Sequence, residues 1–252
     1  MTRLARLTTD EAADAVTASP LAIIPVGALE QHGGGMALST DTVRADGVAD
    51  LVATLLDGKA VVAPAIPYGV SPHHLAFAGT LTLSPTTFRT VVRELVDSLY
   101  RHGWRHVLVI TGHGGNNAAL SVLAQELLTE LPDLRFAWTP ITEIVPDVIA
   151  GMAVSEIHGH AGEAETAQML HLAPELVYAE RLEPGVTGRD DLNSAGRLAR
   201  TKRGPRLAIG FEQYHERGVL GDPRTATAAN GRLLIETAAQ RIADFSAELL
   251  NT

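Results

Sequence analysis

Apolar runs of strand length alternate along this chain with segments that have the period of a helix. The strand-length runs lie at residues 21–27, 61–68, 106–111 and 134–139, and the helical segments lie at residues 42–56, 86–102, 118–131 and 226–250. Nearly continuous apolar strands separated by helices are typical of a mostly parallel sheet that is covered by helices on both faces. The pattern therefore predicts an α/β fold, with ligands bound beyond the carboxyl ends of the strands.

Nothing in the pattern divides the chain into separate units. A length of 252 residues is sufficient for one α/β domain with a substantial core, and the chain contains no internal repeat or low-complexity tract. Residues 186–205 are rich in Gly, Arg, Asp, Asn and Ser, which predicts a long surface loop or a subunit-contact arm rather than a linker. We therefore expect a single domain over residues 1–252.

The composition excludes several kinds of chemistry and partner. The chain has no cysteine, which rules out disulfides, thiolate metal sites and a cysteine nucleophile and is consistent with a reducing cytoplasm. Its formal charge is −9 and its basic run, from Arg197 to Arg206, is short, so nucleic acid is not an expected partner. The first residues lack the apolar run of a secretory signal, and no stretch reaches the roughly 20 apolar residues of a membrane span. We expect a soluble, cytoplasmic protein with no membrane partner.

A first group of ligand-type side chains follows the first strand. Glu30 and His32 stand two residues apart, so in an extended segment their side chains point the same way, as two ligands of one site must. Three glycines at residues 33–35 then allow a tight turn, and the carboxylate of Asp41 could return to the site and bridge two ions. The alternatives are that Glu30 and His32 are simply solvated and that Asp41 caps the following helix.

A second group is the turn GHGGN at residues 112–116, which follows the strand at residues 106–111. His113 would project from this strand-to-helix turn. The turn matches neither a Walker motif, which needs Gly-Lys-Ser/Thr, nor a dinucleotide fingerprint, which needs three glycines at set spacing. The alternative to a metal ligand at this turn is a glycine-rich anion site at a helix N-terminus.

A third group, HGHAGEAET at residues 158–166, opens another helical segment. Its histidines, His158 and His160, precede two glutamates, Glu163 and Glu165. Acidic residues in a first helical turn can simply reflect capping and the helix dipole, but that explanation does not account for the histidines. The group is therefore a further candidate for metal binding or proton transfer.

These motifs together resemble the creatininase family. The segments VGALEQHG with Thr40-Asp41, TGHGGN, HAGEAET and GVLGDPRTATAANG follow one another in the order and spacing of that family, over essentially the whole chain. The resemblance implies a single α/β domain built as a three-layer sandwich, with two divalent metal ions per subunit, which would be Zn, Mn or Fe. It also implies an enzyme that hydrolyses a C–N amide bond with a metal-activated water.

The resemblance implies ligand roles residue by residue. Glu30 and His113 would bind one ion, His32 would bind the other, and Asp41 would bridge the two. Creatinine-hydrolysing members carry Tyr-Glu after the second histidine, whereas this chain has Gly-Gly at residues 114–115. One glutamate of the family's site is therefore missing from this turn.

The remaining roles also follow from the resemblance. Glu165 is predicted to replace the missing glutamate as the fifth ligand, because it matches the Glu-Thr pair of the family. Glu163 is then a candidate general base or supporting group, and His160, which matches a histidine used in substrate binding and proton transfer, is a candidate general acid. The residues predicted on the substrate side are Ser71, His74 and Gly114.

Members of the family act on different amides, so several substrates stay open. They hydrolyse creatinine, formamide groups of pyrimidine intermediates, carbocyclic sugar-derived rings and the C-terminus of the mycofactocin precursor peptide. The Gly-Gly turn argues against creatinine, so we expect a small-molecule or peptide substrate, with the mycofactocin precursor peptide as the first choice. A formamide or cyclic amide of the formamidopyrimidine or creatinine type is the alternative.

Two other functional classes are disfavoured. A non-catalytic metal-binding scaffold would have lost at least one ligand, and all the expected ligand types are present. A serine hydrolase would need a Gly-x-Ser-x-Gly elbow, which the chain lacks. Relatives are commonly multimeric and often hexameric, so the resemblance also implies a homo-oligomer.

Overall fold

Five parallel strands form one sheet in the computed structural model, which describes residues 2–201 and 204–252. Their order across the sheet is β1-β3-β2-β4-β5. The strands are β1 Thr2–Arg3, β2 Leu21–Val26, β3 Ala60–Val62, β4 His106–Thr111 and β5 Arg135–Pro140. Because β2 and β4 are central and buried, they contain the apolar runs that the sequence shows most clearly. The predicted α/β fold with a parallel sheet is confirmed.

Helices cover both faces of this sheet. In the described ranges they are α1 Thr9–Ala18, α2 Thr40–Leu55, α3 Pro85–His102, α4 Asn117–Glu130, α5 Pro146–Ala150, α6 Glu163–Leu172, α7 Ser194–Ala199 and α8 Ala228–Leu249. Successive side chains of a strand point to opposite faces. Leu21 and Ile23 therefore lie in one core with α2, α6 and α8, whereas Ile24 and Val26 lie in the other with α1, α3 and α4.

Local signals account for the ends of α3. The backbone N–H of Thr87 donates to Oγ of Ser84, and Pro85 occupies the first helical position, where no N–H is needed. The helix ends at Gly103, whose φ of +112° is the left-handed conformation that glycine adopts readily. This end agrees with the one that the sequence predicts.

The N-terminal segment contains structure that the sequence analysis did not assign. β1 pairs with β3 at the edge of the sheet, and α1 follows it. Thr8 and Glu11 form a capping box at the start of α1, in which each side chain is bonded to the backbone of the other residue. A Thr-x-x-Glu signal was therefore present in the sequence.

Two predicted segments have a different extent. The run at residues 61–68 forms a strand only at Ala60–Val62, because Pro64 and Pro67 follow and cannot donate to a neighbouring strand. Residues 186–205 are predicted to be irregular, but they contain α7 and contribute to a small apolar core. Lys202 and Arg203 of that segment lie outside the described residues.

The strand order leaves a crevice at one edge of the sheet. The strands β2 and β4 are neighbours, but the chain continues from β2 to β3 on one side of this pair and from β4 to β5 on the other side. The loops that follow β2 and β4 therefore leave the sheet in opposite directions. In open parallel sheets, ligands bind at this point, outside the carboxyl ends of the strands. Of the helices in the described ranges, none combines the length and the apolar character needed to cross a bilayer.

Close packing of α8 on α6 depends on Gly231. A Cβ atom at this position would lie 1.8 Å from the carbonyl oxygen of Ala167 in α6, and backbone cannot move aside as a side chain can. We expect Gly231→Ala to lower the free energy of unfolding by about 2 kcal/mol, despite the better helix propensity of alanine. Urea unfolding measures this change.

Gly47→Ala in α2 is the matched control. Its Cβ would meet only the end of the Leu172 side chain, at 3.0 Å, and this side chain can shift. We expect a change in the free energy of unfolding within about 1 kcal/mol. If both variants lose the same free energy of unfolding, the close approach of α8 to α6 does not require glycine at position 231.

Candidate metal centre

The side chains predicted as ligands lie together at the crevice. Glu30 and His32 are in the loop after β2 and have exposures of 0% and 1%. The Nδ1–H of His32 donates to the carbonyl oxygen of Glu30 over 3.2 Å. Nε2 of His32 is thereby directed towards the carboxylates of Asp41 and Glu165, at 3.5 and 3.6 Å. An imidazole whose second nitrogen donates to a carbonyl is typical of metal-ligating histidines.

Asp41 lies in the first turn of α2, between two histidines. Its Oδ1 is 3.5 Å from Nε2 of His32, and its Oδ2 is 3.2 Å from Nδ1 of His113. The start of α2 approaches the end of β4 so closely that a Cβ on Gly112 would lie 2.1 Å from the carbonyl oxygen of Asp41. The carboxylate points at the imidazoles, which favours the predicted bridging role over a helix cap.

His113 follows β4 and is fixed by the loop after β3. Its Nε2–H donates to the carbonyl oxygen of Val70 over 3.0 Å, and the hydroxyl of Ser71 lies 3.2 Å from the same nitrogen. Nδ1 is therefore free to act as a ligand, and it lies 3.2 Å from Oε1 of Glu30. Because the imidazole lies among carboxylates, the geometry disfavours the alternative of an anion site at this turn.

The five predicted ligands form two groups that share Asp41. Glu30, Asp41 and His113 make one group, and His32, Asp41 and Glu165 make the other; within each group the ligand atoms lie within 4.8 Å of one another. Four of these buried atoms have no hydrogen-bond partner among the described residues: both carboxylate oxygens of Glu30, Nε2 of His32 and Oδ2 of Asp41. Buried donor atoms that converge without partners fit a pair of divalent cations.

The protein without metal compensates the carboxylate charge with protons. Burial alone would lower the pKa of His32, but Asp41, Glu165 and Glu30 outweigh it and raise this pKa to about 9. Burial is likewise outweighed at His113, where Glu30 and Asp41 raise the pKa well above its ordinary value. The pKa of Asp41 moves in the opposite direction: burial would raise it, but His32 and His113 hold it well below its usual range.

Glu165 is held by groups on both sides of its carboxylate. Oε1 accepts a hydrogen bond from the guanidinium of Arg44 over 2.8 Å, and Oε2 accepts one from the backbone N–H of Ala161 over 2.8 Å. Burial would raise the pKa of Glu165, but Arg44 and the nearby histidines lower it below its ordinary value. Arg44 was missed from the sequence, although it stands one helical turn after Asp41, a spacing at which side chains share one face of a helix.

His160 lies beside the two groups of ligands. Its Nε2–H donates to the carbonyl oxygen of Gln31 over 2.7 Å, so its Nδ1 points at Oε1 of Glu30 from 3.5 Å. Burial, followed by the charge of His32, lowers the pKa of His160 below its ordinary value. A neutral imidazole with a free Nδ1 must take up a proton before it can give one to a leaving group, so the predicted general acid would also act as a base.

His74 contacts the same carboxylate from another side. The amide of Gln31 donates to Nδ1 of His74 over 2.9 Å, which places the proton of the imidazole on Nε2, 3.4 Å from Oε1 of Glu30. His74 is fully buried, and burial lowers its pKa below the ordinary range. Gln31 therefore orients both His74 and His160, a role that nothing in its own position in the sequence indicates.

A cavity of about 390 Å³ opens onto the centre. Two of the residues predicted on the substrate side, His74 and Gly114, line it, whereas Ser71 is buried behind His113. Phe211 also lines the cavity, with its ring 4.3 Å from that of His74 and 5.2 Å from that of His160. Phe211 comes from a distant, irregular segment, and no local signal in the sequence predicts it.

A larger cavity lies away from this chemistry. It has a volume of about 770 Å³, is lined mainly by apolar side chains between α1 and α3, and includes none of the clustered ligands. The smaller cavity is therefore the one that can present a substrate to the centre.

Glu163 is oriented differently from Glu165. It is buried, and its Oε1 accepts hydrogen bonds from the backbone N–H of Ser155 over 2.9 Å and of Asp222 over 3.0 Å. It does not line the cavity that opens onto the centre. This geometry favours the supporting role predicted for Glu163 and gives no support to its role as a general base.

Comparisons with known proteins agree with this geometry. A family model for creatininase, described as creatinine amidohydrolase, matches residues 5–246. The mycofactocin precursor peptide peptidase of Mycolicibacterium smegmatis is 34% identical over 229 residues, which cover 89% of this chain and 83% of that protein. The creatinine amidohydrolase of Pseudomonas putida is 28% identical over 244 residues, covering 88% and 86% of the two chains.

A solved structure shares the whole fold. A creatininase variant of the Zn–Zn type superposes with a TM-score of 0.83 at 27% identity and covers 98% of this chain and 97% of its own. The match of the family model spans nearly the full length of the sequence. The chain therefore belongs to the creatininase family.

Proposed function

We propose that this hydrolase of C–N bonds uses two divalent metal ions to cleave an amide bond of a peptide, with the mycofactocin precursor peptide as substrate. The observation that carries the proposal is the pair of ligand groups that share Asp41 and end in buried, unpartnered donor atoms. Glu30, Asp41 and His113 would hold one ion, and His32, Asp41 and Glu165 the other. When bound, the ions would supply an activated water and polarise the carbonyl of the amide.

The donor set restricts the metal. Imidazole nitrogens and carboxylate oxygens without thiolates suit Zn²⁺, Mn²⁺ or Fe²⁺. The related creatininase variant of the Zn–Zn type supports zinc as the first ion to test.

The chain's own residues have separate tasks in this proposal. His160 takes up a proton of the attacking water at Nδ1, the nitrogen that faces the centre, and passes it to the amide nitrogen as the C–N bond breaks. The carbonyl of Gln31 fixes the imidazole in the orientation that this transfer needs. Phe211 and His74 form an aromatic wall that excludes water from one side of the cavity.

The substrate class is supported by two observations. The relative at 34% identity is named as a peptidase of the mycofactocin precursor peptide. A Cβ on Gly114, at the rim of the cavity, would meet no atom within 4 Å, so the turn leaves open space where a longer substrate can extend. The alternative, a cyclic amide or formamide, is supported by the relative named as a creatinine amidohydrolase.

The oligomeric state and the cellular location are proposed from the family. We infer from the family resemblance that the protein is a homo-oligomer, a hexamer as in many relatives, and that it is cytoplasmic. Exposed apolar side chains on α3 and α4, such as Leu95 and Leu128, are consistent with contacts between subunits.

Asp41→Asn removes the charge that both proposed ion positions share. We expect the wild-type protein to hold about two ions after reconstitution with zinc and the variant to hold little metal, with hydrolysis reduced about a hundredfold or more. Elemental analysis gives the ion content. Turnover is measured on a panel of short peptides ending in the mycofactocin precursor C-terminus, creatinine and a formamidopyrimidine.

Asp46→Asn in the same helix is the control, because Asp46 pairs with Arg3 and lies outside the ligand groups. It should retain both ions and full activity. A wild-type protein that binds no divalent ion after reconstitution would contradict the proposed function, and turnover of creatinine but no peptide would select the alternative substrate.

Glu165→Gln and Glu163→Gln compare two glutamates in the first turn of one helix. The first change removes a ligand of the position that contains His32, so we expect the second ion to be lost and one ion to stay. The second change leaves an amide oxygen that can still accept from Ser155 and Asp222, so we expect both ions to stay. Elemental analysis of the two variants decides between these roles, and the reverse result would exchange them.

Metal binding should depend on pH through His32. Its pKa in the metal-free protein is about 9, above the ordinary value near 6.5, so at any pH below about 9 a metal must displace a proton from the ligand nitrogen. The apparent zinc affinity should therefore rise throughout the range from about pH 6.5 to about pH 9, and the contribution of His32 to this rise should end above about pH 9. Calorimetric titrations in buffers of different ionisation enthalpy measure the proton release; an affinity independent of pH over this window would refute the assignment.

A further inference from the structure

A buried arginine lies against the proposed metal ligands. Arg44 has no exposed surface, and its Nη1 group donates to Oδ1 of Asp41 over 3.1 Å and to Oε1 of Glu165 over 2.8 Å. Nε donates to the side-chain oxygen of Gln168 over 2.7 Å, and the same Nη1 contacts the carbonyl oxygen of Gly112 over 3.1 Å. The guanidinium is therefore fixed from several sides beside two of the five ligands.

The charge of Arg44 offsets part of the negative charge of the centre. Glu30 and Asp41 are buried carboxylates of one ligand group, and the partly buried Glu165 shares the other group with Asp41. Buried charges of one sign are unfavourable unless cations compensate them, and arginine stays charged at every accessible pH. Arg44 compensates two of the three carboxylates when no metal is bound, and its Nε and Nη1 groups hold it in position through their hydrogen bonds.

We propose that Arg44 is an internal counter-cation that keeps the His32–Asp41–Glu165 position formed in the metal-free protein and that weakens binding of the second ion by repelling it. The inference rests on the proposed two-metal function. Arg44 touches two of the three ligands at this position but only the shared Asp41 at the other, which also contains Glu30 and His113. Repulsion between the guanidinium and a divalent cation therefore acts mainly on one of the two ions, so that the ion at Glu30 and His113 binds first.

Two neutral variants and one charged variant test the effect of the charge. Arg44→Met removes the guanidinium and fills much of its volume, Arg44→Gln removes the charge but keeps a donor for Glu165, and Arg44→Lys keeps the charge. Arg3→Met is the control, because Arg3 also bridges two carboxylates of α2, Asp46 and Asp50, and none of these three residues belongs to a ligand group. Thermal unfolding of metal-free and zinc-loaded protein is measured for each variant, together with the dissociation constant of the second zinc ion.

We expect metal-free Arg44→Met to unfold at a lower temperature than wild type, because the buried Asp41 and the partly buried Glu165 lose their cation. Zinc should then raise its unfolding temperature by more than it raises that of wild type. The second zinc ion should bind about tenfold or more tightly in Arg44→Met and in Arg44→Gln, since a repelling charge has been removed. Arg44→Lys should stay close to wild type, and Arg3→Met should lose stability without any change in the effect of zinc.

Other outcomes of the zinc titrations would contradict the role of Arg44. If wild type binds two zinc ions but the neutral variants bind the second ion no more tightly, or lose it, then Arg44 only orients Glu165 and the counter-cation role is wrong, while the proposed function stands. If Arg44→Met does not fold, the dissociation constant in Arg44→Gln decides the question. If wild type binds no zinc, the proposed function itself fails, and this inference fails with it.

Discussion

The convergence of buried carboxylates on a pair of imidazoles is the interaction on which the rest of this structure depends. Charged groups taken out of water are unfavourable unless opposite charges and hydrogen bonds replace the solvent. At this centre the compensation comes from protons on His32 and His113 and from the guanidinium of Arg44. The two apolar cores on the faces of the sheet must therefore hold together a group of side chains that would separate if the chain were free.

The fold brings these side chains together through the ends of its elements. The loops after β2 and β4 supply one imidazole each, and the first turns of α2 and α6 supply carboxylates. Neighbouring parallel strands end at the same edge, so no long excursion of the chain is needed to bring their loops into contact. Small residues complete the arrangement where backbones must touch, as Gly112 does beside Asp41.

Much of the fold and of the candidate metal centre could be predicted from the sequence, because the signals that indicate them are local. The central strands are apolar runs, and the proposed ligands lie close to the ends of these strands or in the short motif at the start of α6. Arg44, Gln31 and Phe211 escaped prediction because their roles depend on contacts with residues far away along the chain. The two glutamates of α6 could not be assigned from the sequence for a similar reason. Residues two apart on a helix point in directions about 200° apart, so only one of them faces the centre. The other, Glu163, accepts hydrogen bonds from the backbone of Ser155 and Asp222 in separate loops.

Three of the imidazoles at this centre show how their surroundings give similar groups different pKa values. His32, His113 and His160 each donate one N–H to a backbone carbonyl, which leaves the other nitrogen facing the carboxylates. Carboxylates raise the pKa of the first two, whereas burial and the charge of His32 lower that of His160. A cation that enters the centre can replace the protons on the first pair, and the third imidazole stays neutral and able to accept a proton. Backbone hydrogen bonds of one kind would therefore orient both the proposed ligands and the proposed proton carrier, and the distribution of charge around each ring would decide which role the ring takes.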